Sequence, residues 1–162
     1  MAVEAADDEE KVASEQVVFW KNASLMYDAC FSRKLEWPSL TVEWLPGTTR
    51  TEPLTEGWKR HQLVIGTHTD RTKENELLLV AVDLPSAETE IDARGEDFGL
   101  DTSVADATLS MAHPGGESNR VRHCPQEPTL LASKCANGLV YVFDIEKAAA
   151  AAAAKGGDAP GG

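Results

Sequence analysis

Leu130–Asp144, LLASKCANGLVYVFD, decides how this chain folds. Two apolar runs, Leu130–Lys134 and Leu139–Phe143, flank Asn137-Gly138, the residue pair best suited to the positive φ angles of a tight hairpin turn. A hairpin of short strands is predicted. Toward the N-terminus the same signature recurs in Arg120–Cys124 before the turn Pro125–Pro128, and in Ala107–Met111 before Pro114-Gly115-Gly116. Glu76–Leu84 (ELLLVAVDL), ended by Pro85, and Gln62–Thr67 (QLVIGT) read as buried strands joined through the polar link Asp70–Asn75. Earlier still, Leu40, Val42 and Trp44 alternate with Thr41, Glu43 and Leu45 up to Pro46-Gly47. That period of two marks a further strand.

Ahead of the strands the period is 3.6. From about Glu9 to Ser32, Val12, Phe19, Trp20, Ala23, Met26, Tyr27, Cys30 and Phe31 fall on one helical face that should dock on a core. Val18 and Leu25 project from the opposite side, where a second contact is expected. Residues 1–10 read as a disordered acidic lead. Residues 86–106, with Glu88, Glu90, Asp92, Glu96, Asp97, Asp101 and Asp106 against Arg94 alone, read as an acidic loop. From residue 148 to 162 the chain becomes an Ala/Gly low-complexity tail with nothing to bury.

Composition bounds the function. Hydrophobic residues at 42% and charged residues at 26% describe an ordinary core-forming globular chain. The 27 acidic against 15 basic residues give a net charge of -12, which disfavours direct nucleic-acid binding and favours basic partners. Cys30, Cys124 and Cys135 make neither a disulfide framework nor a zinc ribbon. The acidic start MAVEAADDEE is no signal peptide, and no apolar run is long enough to span a membrane, so a reducing intracellular compartment is expected.

Catalytic and metal readings are weak. His113, His123, Cys124 and Cys135 fit no zinc spacing, and Cys124 has no orienting partner that would make it a nucleophile. No Gly-rich phosphate loop is present, and no cofactor is expected.

Two segments repeat. Leu40–Pro46 and Asn119–Pro125 each end in Pro and each precedes two more strands; the second unit has the spacing of the inner strands of a propeller blade. Glu36-Trp37-Pro38-Ser39-Leu40-Thr41 with Trp44-Leu45-Pro46, then His61–Thr69 (HQLVIGTHT), Asn119-Arg120 with Pro125-Gln126-Glu127-Pro128, and Val140–Asp144 (VYVFD) together resemble the amino-terminal part of the retinoblastoma-binding histone chaperone family. The resemblance spans roughly residues 9–147. It implies a mainly β fold: an N-terminal helix at 11–34, then antiparallel strands at 35–147 forming the first one to two blades of a WD-repeat β-propeller, an incomplete ring. Leu40–Pro46, Gln62–Thr67, Glu76–Leu84 and Ala107–Met111 would make one blade and the last three strands part of the next.

The same resemblance implies the sites. A groove for a histone H4 helix would use Val18, Phe19, Leu25, Met26, Tyr27 and Asp28, where Leu25–Asp28 stands in place of the family's Phe-Leu-Tyr-Asp. Trp20–Ser24 is one residue shorter than the family pattern and lacks its Pro. A surface for the basic H3 tail would use His68, Glu117 and Asn119. Expected partners are histones H4 and H3 and other components of chromatin complexes, in the nucleus, without enzymatic activity, direct nucleic-acid contact or membrane contact; open blade edges also suggest self-association. The rival expectation is a truncated or diverged fragment acting at most as a partial scaffold.

Overall fold

The structure, a computed structural model, describes residues 2–27, 30, 33–47, 58–86 and 104–154, and of residues 2–10, Ser24 and 104–106 the backbone alone. A long helix, α1 (Ala2–Met26), precedes β1 (Val42–Leu45), β2 (Trp58–Gly66), β3 (Asn75–Pro85), β4 (Val104–His113), β5 (Ser118–His123), β6 (Leu130–Cys135) and β7 (Val140–Asp144), and α2 (Ile145–Ala154) follows. The strands form two antiparallel meanders, β1-β2-β3-β4 and β5-β6-β7, which do not close into a ring. This is the mainly β, partial-propeller arrangement expected, with the strands divided between the sheets as the repeat reading divides them.

Alternation sets the packing. In β6 the burial pattern alternates strictly, so Leu131, Ser133 and Cys135 face inward while Ala132 and Lys134 face out. In β1 Leu45 turns inward while Val42 and Trp44 turn out. One core results between the sheets, built from Leu45, Val64, Leu77, Leu79, Met111, Val121 and Leu131 with Leu109 and Phe143 against it. Burying each such side chain contributes roughly 1.5–3 kcal/mol. On β2 and β3, Arg60 donates both Nε and an Nη to the Asp83 carboxylate at 2.7 and 2.8 Å, a forked bond between residues paired in the strand register. Gly138, at φ +87°, takes the left-handed turn position before β7 that the Asn-Gly pair predicts.

Both chain ends depart from expectation. The helix begins at Ala2, not near Glu9, so the lead expected to be disordered is helical from its second residue; Ala and Glu are strong helix formers, and acidic residues suit a helix N-terminus. Its last hydrogen bond runs from the Tyr27 amide to the Ala23 carbonyl at 2.9 Å, short of the Ser32 end expected. The face expected to dock does so only in part. Ala23 is buried and Trp20 and Cys30 half-buried, but Val12, Phe19, Met26 and Tyr27 are exposed and Phe31 lies outside the described residues. A buried stripe needs a facing surface, and neither strand meander encloses this one.

The alanine run is the second departure. Ile145–Ala154 is helical, and Ile145 and Ala148 pack against the core cluster, so this part of the tail does bury surface. Asp144 caps it by accepting the Lys147 amide at 3.0 Å, the Ile145 amide reaches the Thr129 carbonyl at 2.9 Å, and alanine has the highest helix propensity. Of the stretch expected to be an acidic loop, residues 87–103 lie outside the described residues, and Val104–Asp106 belong to β4.

Candidate functional site

α1 presents a row of uncovered apolar groups. Phe19 packs edge-on to Trp20 at 5.2 Å between ring centroids and lies 6.5 Å from the Tyr27 ring, which gathers the aromatics at the helix's C-terminal end. Beside them Leu25 is 78% and Met26 66% exposed. Val18 is exposed as well. Water is a poor neighbour for so much contiguous apolar surface, the usual mark of a contact site. Asp28 lies outside the described residues.

His68 is fixed by its backbone and free at its ring. Its amide donates to the Pro38 carbonyl at 2.8 Å. On either side, Thr67 Oγ1 accepts from the Glu76 amide at 2.8 Å and the Thr69 amide donates to Asn75 Oδ1 at 2.9 Å. Both threonines and Asn75 are buried, while His68 stays exposed. The loop beyond is shaped by Asp70, whose carboxylate accepts the Thr72 hydroxyl and its amide; those bonds hold it below the ordinary carboxylate pKa.

Glu117 and Asn119 come to the same end of the sheets as His68. The link is Gly66, two residues before His68: a Cβ placed there would lie 2.9 Å from the Ser118 Cβ, between Glu117 and Asn119 in sequence. Only glycine permits that approach. The β5–β6 register shifts between Ser118 and Arg120, which leaves Asn119 at a bulge, exposed, with Glu117 half-buried beside it. The α1 residues sit on a separate element, so the chain carries two candidate surfaces.

Two groups that sequence reasoning missed support this end. Ser118 Oγ lies 2.6 Å from Ser133 Oγ, which lies 2.9 Å from His113 Nε2, and Cys135 Sγ approaches the same nitrogen at 3.2 Å. The Gly115 amide donates to His113 Nδ1 at 3.2 Å, while Tyr141 and Phe143 stack about the ring. Burial lowers the His113 pKa and raises that of Cys135. The cluster is buried and offers a substrate no approach, so it braces the turn between the sheets. Of the four residues weighed as metal ligands, it unites His113 with Cys135 alone. Among the described residues no group of three or more His, Cys, Asp or Glu is placed to hold a metal ion. The other group is Glu43, which pairs with Arg122 at 3.1 Å and stands 2.8 Å from His123 Nδ1 without hydrogen-bond alignment.

The signal for the bracing cluster lies in His113-Pro114-Gly115-Gly116 followed by Ser133 and Cys135 on alternate positions of one strand. Nothing in the spacing announces the Glu43 pairs, because they join strands far apart in sequence.

Comparison with known families yields one match. Residues 14–86 fit the family described as histone-binding protein RBBP4 or a component of the CAF1 complex. The match covers the apolar row of α1, β1 to β3 and His68; Glu117 and Asn119 fall outside it. Over residues 14–86 this chain is the amino-terminal part of that histone-binding family.

Proposed function

We propose that this chain is a non-enzymatic histone-binding module of the chaperone type, acting in the nucleus within chromatin-assembly or chromatin-modifying complexes. The observation that carries the reading is the exposed apolar row on α1, lying within the residues that match the histone-binding family. In this reading a histone H4 helix lays its apolar side on Val18, Phe19, Leu25, Met26 and Tyr27, with Asp28 selecting for basic side chains. Helix-on-helix docking of this kind gains affinity from apolar anchors, at roughly 25 cal/mol per Å² of surface buried. The net charge of -12 draws basic histones toward the chain and speeds their encounter.

His68, Glu117 and Asn119 are assigned to the basic H3 tail. A carboxylate beside an amide suits an arginine or lysine, since charge-assisted hydrogen bonds are the stronger kind. Support comes from the close approach of Gly66 to Ser118, which brings the two stretches to one end of the sheets.

The test is a Leu25→Asp, Met26→Asp double variant in a pull-down with H3–H4. Both side chains are exposed, so the fold should be unaffected within about 0.5 kcal/mol while histone capture falls at least tenfold. Unchanged capture would refute the α1 assignment.

A further inference from the structure

The face of the β1–β4 sheet turned away from the core is an open apolar groove that the histone reading leaves unused. Its floor is two rows running across β1, β2 and β3 in register, Val42–Ile65–Leu78 and Trp44–Leu63–Val80. The groove encloses about 670 Å³ and is walled by the segment leading into β1, which sets Arg33 and Lys34 on its rim. Val42 is 58% and Trp44 50% exposed with the chain's own α1 in place, so that helix leaves the groove uncovered.

α1 has the chemistry that fits there. Val12, Phe19 and Met26 recur every seven residues and so fall nearly on one line of the helix, and all are exposed. Glu15 falls on the flank of that line, and Glu4, Asp7, Asp8, Glu9 and Glu10 make the first half of the helix strongly acidic. An acidic helix with an apolar stripe complements an apolar floor with a cationic rim. The other uncovered face of the molecule does not: the outer side of the β5–β7 sheet exposes Arg120, Arg122 and Lys134, which would set cation against Arg33 and Lys34.

We propose that the groove receives α1 from a second copy of this chain, each copy giving its helix to the other in a reciprocal two-fold dimer. Phe19 and Met26 then lie inside the dimer contact. Dimerisation therefore masks part of the α1 row and competes with histone; this consequence, unlike the dimer itself, rests on the histone-binding reading.

The experiment is sedimentation velocity of the full chain over a concentration series, with Trp44→Glu and Phe19→Glu variants. The expected result is a concentration-dependent species of twice the 17.5 kDa chain mass. Each variant should weaken dimerisation at least tenfold. An equimolar mixture of the two should form dimers again, because one intact helix and one intact groove remain; misfolded variants could not do so. Charge reversal at Arg33 and Lys34 should weaken the dimer, and Glu15→Lys added to it should recover part of the loss. A monomer at every concentration, or dimers that survive both Trp44→Glu and Phe19→Glu, would overturn the proposal. Titration of the dimer with H3–H4 then separates the readings: histone that dissociates dimers supports the masking, histone that binds without dissociating them refutes it, and dimers that ignore histone refute the histone reading alone.

Discussion

The Thr41 hydroxyl accepts the Val121 amide proton at 3.0 Å, joining residues eighty positions apart and the two sheets to each other. Val121 lies on β5, whose other side pairs with β6, so its amide would be an unsatisfied donor without Thr41. Both residues are buried, and water cannot take the place of the hydroxyl. Thr41 closes the EWPSLT stretch that carries much of the family resemblance, and its structural part is to hold the second sheet against the first.

Thr41→Val keeps the shape and removes the acceptor. Stability in urea denaturation should fall by about 1–3 kcal/mol, the cost of leaving a buried amide unpaired. Thr41→Ser should retain most of the stability, because the hydroxyl survives. Equal losses in the two variants would mean that the methyl group, not the hydrogen bond, matters at this position.

Gly66 is required by space. Gly66→Ala places a Cβ against the Ser118 Cβ, a contact that neither side chain can rotate away from, and should cost about 1–3 kcal/mol. Ser118→Gly in the same chain should recover part of the loss, read as a coupling energy in a double-mutant cycle. The same variant should shift His68 relative to Glu117 and Asn119 and weaken binding of an H3-tail peptide. Full additivity of the two substitutions would show that the approach is not a close contact.

His113 gives stability a dependence on pH. Burial holds its pKa below the ordinary 6.5, so the folded protein keeps the ring neutral where the unfolded chain already takes up a proton. The stabilisation is present above 6.5 and is lost as the pH falls from there through the folded pKa. Urea midpoints for the native chain should therefore drop between pH 7.5 and 5.5, and His113→Gln should remove that part of the slope. An identical slope in the variant would assign the effect to other groups.

The strands were legible because their signals are local. Alternation at Leu40–Leu45, the long aliphatic run before Pro85 and the Asn137-Gly138 turn each fix a neighbour without reference to the rest of the chain, and all seven predicted strands form. The helix at Ile145–Ala154 was missed because alanine carries no amphipathic signal; only the Asp144 cap and the fit of Ile145 and Ala148 to the core distinguish it from a solvated tail. The docking face of α1 was overread for the opposite reason. Period 3.6 tells which side chains share a face, but whether a surface exists to receive them is a property of the assembled sheets. Of the candidate residues, His68, Glu117 and Asn119 were named from motif resemblance. Their common end of the molecule depends on Gly66 meeting Ser118, a tertiary contact that no spacing encodes.

The central claim, that α1 recognises a histone helix by shape as well as by charge, is tested most directly by fluorescence anisotropy. A labelled peptide of the first H4 helix is titrated with the chain at two salt concentrations beside a scrambled peptide of equal charge. Apolar anchoring predicts saturable binding that prefers the native order and persists at the higher salt, where interactions between exposed charges are screened. Equal binding of the two peptides, lost as salt rises, would contradict the account and leave an acidic surface attracting any basic chain.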